Sequence, residues 1–161
     1  MKIDKFNLLV GLFLIVSATS FAIDLPTKVQ TTFKKMYPQA ASTEWAYEGG
    51  YFIATFMMDN QGKNVWFNNK AQWIMTETDV ESLEAIPTSV AEAFMNSTMA
   101  SMRLHYVRVI TFPKHPTVIV IDVEEYNSDA EYQLFYAPDG KLLQHFDVTD
   151  LGGEIYPGLF E

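Results

Sequence analysis

Between Asp24 and Tyr37 the apolar residues fall at Leu25, Val29, Phe33, Met36 and Tyr37, the 3.6-residue period of one helical face. Asp24 is placed to cap this helix and Pro38 to end it. Pro26 falls in the first turn, where a missing N–H has no intrahelical partner to lose. After Pro38 the period shortens to two. Residues 45–47, 51–58, 64–67 and 72–78 are short aromatic or β-branched runs, separated by Gly49-Gly50, Asp59-Asn60-Gln61-Gly62 and Asn68-Asn69-Lys70. They predict successive hairpins, with Gly49 and Gly62 at turn positions that need positive φ.

The same grammar then starts again. After an acidic connector over 79–84, which has the makings of a short helical turn, Ile86-Pro87-Thr88-Ser89-Val90 echoes Leu25-Pro26-Thr27-Lys28-Val29. Pro87 and Phe94 stand to Pro26 and Phe33 at one offset of 61, so the two helices align without a gap. Strand patterns follow at 103–111, 117–125, 131–136 and 141–148, and the offset grows to 68 between Phe67 and Phe135. The pattern predicts an α+β fold: a tandem repeat of a helix packed on a four-stranded antiparallel β-meander, one repeat over 23–78 and the other over 79–150. A tail at 151–161, with Leu159 and Phe160 near its end, is either frayed or docked.

A helix beside a meander covers one face of the sheet and leaves the other available. In the 117–125 strand Ile119, Ile121 and Val123 form a wholly apolar set, whereas Val118 and Val120 continue into Asp122 and Glu124, so the first set is expected under the helix. In the 51–58 strand both alternating sets are apolar. That suits a sheet covered on both sides or one exposing a binding face.

Charge and address narrow the function classes. The 161 residues carry 11 Lys+Arg against 20 Asp+Glu, a formal charge of −9, and no cysteine. Nucleic acid is an unsuitable partner for such a surface, because phosphate affinity rests on Lys and Arg. Disulfides, thiolate nucleophiles and Cys-type metal sites are excluded outright. Lys2 and Lys5 precede an apolar run over 8–16 and then Ser20-Phe21-Ala22, the layout of a secretory signal peptide over 1–22, cleaved after Ala22. The run is too short to span a bilayer, which takes roughly 20 residues, so no membrane insertion is expected after cleavage. The mature chain would keep 9 basic and 19 acidic side chains, a charge of −10. An exported domain without disulfides fits a bacterial periplasm or secreted location.

Leu25-Pro26, the Phe33-Lys34-Lys35-Met36-Tyr37-Pro38-Gln39-Ala40 segment, Glu44-Trp45, the 51–56 strand and Val65-Trp66-Phe67 together resemble the PepSY-like family of exported bacterial proteins. In the second copy Asn96-Ser97-Thr98 stands where the family pattern has Tyr-Pro. The resemblance implies export, and a fold related to the β-lactamase inhibitor protein, likewise a tandem repeat of a helical segment and a four-stranded antiparallel sheet. Fold alone does not transfer the inhibitory activity.

The chain contains no phosphate-binding glycine loop, no Gly-x-Ser-x-Gly elbow and no His-Glu-x-x-His pair. His105, His115 and His145 sit on separate elements and read as packing or surface residues, so no metal or other cofactor is expected. Asp122, Glu124 and Glu125 read as a solvated polar face, and Asp59-Asn60-Gln61-Gly62 as a hairpin turn lacking calcium-loop ligands. Trp45, Tyr47, Trp66 and Trp73 remain, either as core or as a sheet-face platform, since large rigid aromatics make good interface anchors. The expectation is a noncatalytic exported module that binds a protein or peptide, as an inhibitor or modulator of an exported enzyme. The alternative is a periplasmic small-molecule-binding protein.

Overall fold

A computed structural model describes residues 23–151 and 153–160. The signal segment and its cleavage after Ala22 lie outside the described residues. Helix α1 (Thr27–Met36) precedes strands β1 (Glu44–Glu48), β2 (Tyr51–Met58), β3 (Gln61–Asn68) and β4 (Trp73–Val80). Helix α2 (Thr88–Met95) precedes β5 (Arg103–Thr111), β6 (Val118–Glu124), β7 (Glu131–Tyr136) and β8 (Leu142–Asp147). The eight strands form one antiparallel sheet in chain order, each hydrogen-bonded to its sequence neighbours.

Both helices start immediately after a proline. Pro26 and Pro87 are not in the first turn but cap it, with extended ψ of 134° at each. The Pro26 carbonyl accepts from Val29 and Gln30 at 2.9 and 3.2 Å, and the Pro87 carbonyl from Val90 and Ala91 at 2.9 and 3.1 Å. Asp24 therefore lies too far upstream to act as the cap expected of it. The acidic connector is also shorter than the charge pattern suggests. Asp79 and Val80 end β4, paired with Arg108 and Val107 of β5, and this pairing fuses the two sets of strands into one sheet. Only Leu83–Ala85 forms a helical turn, of 3₁₀ type.

The β2–β3 turn also differs from expectation. Asp59 and Asn60 take the positive φ values, 55° and 61°, and Gly62 lies inside β3 opposite Met57. Asp and Asn tolerate the left-handed region well enough to build the turn themselves. Gly62 instead makes room for a neighbour, since a Cβ there would stand 3.1 Å from Asp79 Oδ2.

The helices lie on one face of the sheet. Val29 and Phe33 of α1 pack on Phe52, Ala54, Phe56, Val65 and Phe67. Val90 and Phe94 of α2 pack on Ile119, Ile121 and Val123, the set expected there, together with Val107 and Leu134. The opposite face has its own apolar cluster of Ile53, Trp66, Met75, Ile110, Val118, Val120 and Phe135. The tail docks on that cluster. Ile155 is buried in it, and Phe160 lies 4.9 Å from Phe112 and 5.9 Å from Phe135, ring centre to ring centre. The second alternating set of β2 is covered only in part: Ile53 is buried in the tail's cluster, whereas Thr55 and Met57 on the same face are exposed. Ile155→Ala should lower stability by about 2 kcal/mol, read as a shift in the urea midpoint, with proteolysis of the tail accelerating first.

Candidate binding site on the face opposite the helices

Strand alternation sends Glu77 of β4, Arg108 of β5, Asp122 of β6 and Gln133 of β7 to the face away from the helices, in four neighbouring strands. All four are buried. The Arg108 guanidinium donates from Nε and Nη2 to Asp122 Oδ2, at 3.1 and 2.5 Å, and from Nη1 to Glu77 Oε1 at 3.3 Å. Nη2 also donates to the Gly153 carbonyl at 3.3 Å, and Gln133 Nε2 donates to that same carbonyl. The tail is thus held at one end by polar groups and at the other by apolar packing.

Two buried carboxylates against one guanidinium leave the cluster one negative charge in excess, and a third carboxylate, Asp79, adds to it across the β4–β5 pair. Burial raises the pKa of Glu77 and of Asp122, against the opposing pull of Arg108. Asp79 is shifted upward for the same reasons. Charged groups this far from water persist only when paired and hydrogen-bonded.

Beside the cluster opens a cavity of about 630 Å³. Tyr51, Ile53 and Trp66 form one wall, Glu77, Arg108 and Asp122 lie at its charged centre, and Gly153–Tyr156 of the tail lines the other side. Such a volume is that of a small-ligand pocket. Trp66 is 8% exposed, and its indole Nε1, buried, has no hydrogen-bond partner among the described residues.

The four aromatics expected on one platform are not brought together. Trp45 and Trp73 pack with α1 on the helix-bearing face, Trp45 edge-on to Phe33 at 5.2 Å and Trp73 donating Nε1–H to Thr76 Oγ1 at 3.0 Å. Tyr47 is 51% exposed on that side and lies 4.7 Å from Phe52. Only Trp66 faces the cavity. Trp45 and Tyr47 share the helix-bearing face of their β2 partners Ala54 and Phe52, and for Trp73 the cause is an irregularity in the ladder: Trp66 pairs with Met75 but Phe67 with Trp73, so Ile74 is an extra residue that reverses its facing.

Of the three carboxylates expected on a solvated face, only Asp122 is buried, because Arg108 on the neighbouring strand meets it. Glu124 is half-buried beside the exposed Arg103, and Glu125, just beyond β6, is exposed as expected and accepts from Ser128 Oγ. Among the imidazoles, His115 packs edge-on to Phe112 and His145 is exposed on β8. His105, at the β5 bulge, comes within reach of Glu124 and Glu131 at the cavity rim, where Arg103 already occupies Glu124. The site residues that sequence reasoning missed are Glu77, Arg108, Gln133 and the tail. Arg108 between Val107 and Val109, and Asp122 between Ile121 and Val123, carried a usable signal, since a charge inside an apolar strand is seldom buried without a partner.

Residues 50–144 match the family described as "Putative beta-lactamase-inhibitor-like, PepSY-like". Among solved structures, a DUF2874 family protein from Bacteroides ovatus is 43% identical over 84% of this chain and 96% of its own, with a TM-score of 0.81. A structure from Bacteroides eggerthii described as "putative periplasmic proteins" is 34% identical over 78% of this chain and 90% of its own, with a TM-score of 0.76. A BLIP-like protein from Bacteroides fragilis is 33% identical over 83% of this chain and 94% of its own, with a TM-score of 0.75. No curated protein matches. Sequence and fold agree that the chain belongs to the PepSY-like, β-lactamase-inhibitor-like family.

Proposed function

We propose that the chain is a noncatalytic exported module that binds a protein or peptide on the face of its sheet opposite the helices, as an inhibitor or modulator of an exported enzyme. The observation that carries this reading is the cavity of about 630 Å³ on that face, open beside a buried cluster of fixed charge. Its two central carboxylates are both engaged by Arg108, an arrangement suited to recognition rather than to proton transfer. The inhibitor-like description of the family and the BLIP-like neighbour support a partner of protein kind. The signal-peptide pattern and the neighbour described as periplasmic support export. Among the described residues no helix is long and apolar enough to cross a membrane. The repeated order of a helix and four strands, each helix capped by a proline, supports a tandem repeat with its halves over 23–78 and 79–150.

Tyr106 and Tyr156 line the cavity and are 53% and 52% exposed, so they can be truncated without opening the core. In an affinity capture from envelope extract with residues 23–161 as bait, Tyr106→Ala/Tyr156→Ala should lose a partner that the unaltered protein retains, with an unchanged circular dichroism spectrum. Tyr126→Ala, 69% exposed and not part of the cavity lining, should retain it. A partner held equally by all three would refute the site. The cavity's size also favours the small-molecule alternative, which a thermal-shift screen would reveal as a rise in Tm with one ligand class.

A further inference from the structure

We infer that the cavity receives a cationic group on an apolar stem, an alkylammonium or a guanidinium such as a lysine or arginine side chain of a bound peptide. The inference rests on the binding reading above and names the chemistry of the occupant.

Three observations converge on it. First, the cavity is lined by five carboxylates, Glu48, Glu77, Asp122, Glu131 and Glu154, against one guanidinium, Arg108, and one imidazole, His105. Second, that arginine has little left to offer an anion: Nε, Nη1 and Nη2 are all committed, to Asp122, Glu77 and the Gly153 carbonyl. An anionic ligand would meet carboxylates and a guanidinium with a single Nη1–H to spare, whereas a cation meets uncompensated negative charge beside buried carboxylates that water screens weakly. Third, Tyr51, Trp66, Tyr106 and Tyr156 supply aromatic surface on which an aliphatic stem packs and toward which a cation is attracted.

The test titrates the 23–161 protein by NMR with N-acetyl-lysinamide and N-acetyl-argininamide, with the uncharged N-acetyl-norleucinamide as control and spermidine as a free amine. Saturable binding of either charged amide, perturbing the Trp66 indole resonance and absent with the norleucine compound, is the expected result. Glu77→Gln, which keeps an acceptor for Arg108, should weaken binding about tenfold or more. Glu131→Gln at the rim provides a second reading if Glu77→Gln does not fold, and Glu84→Gln, exposed outside the cavity, should leave binding unchanged. Stronger binding of spermidine than of both amides would support the cation site and assign it to free polyamines. Equal binding of the norleucine compound, binding untouched by both cavity variants, or no binding of any amine would overturn the inference. A partner captured through Tyr106 and Tyr156 despite that result would leave the binding module standing without a cation pocket. Cation binding with no captured partner would leave the pocket without the protein-binding role.

Discussion

Arg108→Met is expected to cost about 3–5 kcal/mol of folding stability at neutral pH, the usual penalty for stripping the partner from buried charges. The loss arises less from missing attraction than from what is left behind. Glu77 and Asp122 remain in a site that barely reaches solvent, and the Gly153 carbonyl keeps only Gln133. Burial already raises the pKa of both carboxyls, and removing the guanidinium that pulls them down moves them further up. The sign of the pH dependence follows. Between the unfolded and the raised folded pKa the folded chain holds more protons than the unfolded chain, so stability falls as pH rises through that interval. The Arg108→Met deficit should therefore shrink as pH is lowered from neutrality and be smallest below the ordinary carboxylate range, where both groups are protonated in either state. Urea unfolding of both proteins across that range measures it. A deficit independent of pH would mean that the carboxylates are not the source. Replacing all three, Arg108→Met with Glu77→Leu and Asp122→Leu, should recover most of the stability, as buried ion clusters exchanged whole for apolar residues often do. Recovery of stability with loss of binding would show that the cluster serves recognition rather than folding.

Gly140→Ala is expected to cost about 3 kcal/mol, from two effects that add. Gly140 has φ of 89° in the turn between β7 and β8, where a side chain is strained whatever the space around it. A Cβ there would also stand 2.4 Å from the Ser89 carbonyl oxygen, which is backbone at the start of α2 and has little freedom to withdraw. Ser89 Oγ donates to the Pro138 carbonyl of the same turn at 2.7 Å, so the clash would also pull at the contact that ties α2 to its sheet. Thermal unfolding should show a lower Tm. Gly50→Ala is a suitable comparison: φ is 90° but no atom lies within 4 Å, so it should cost only the conformational part, about 1 kcal/mol.

Much of the fold was legible because local pattern and tertiary outcome coincide. The residue sets facing α2 could be read from β6 alone, since Asp122 and Glu124 interrupt only one of its two alternating series. The two faces of β2 could not be separated, because the tail's cluster takes up Ile53 on the second face while Met57, on the same face, is apolar yet exposed. Trp73 went astray for a different reason. A single extra residue at Ile74 inverts the parity on which any facing argument depends, and no feature of the sequence marks it. The site was legible only in fragments. Trp66 could be singled out as an aromatic, but the meeting of Glu77, Arg108, Asp122 and Gly153 depends on strand register and on a tail arriving from far along the chain.

The chain-order meander also dictates how the molecule assembles. Each strand finds its partner in the strand just before it, over a short turn everywhere except between β4 and β5, where α2 intervenes, so the sheet grows in the direction of synthesis. No strand in this growth waits for a distant strand, and the last dozen residues arrive only after the sheet is paired. Their docking joins Gly153 to Arg108 and Phe160 to Phe112, contacts that span some 45 residues of chain. The cavity is therefore the final part of the described fold to take shape, and a nascent chain, however far its sheet has advanced, cannot wall it in until residues 153–156 have arrived.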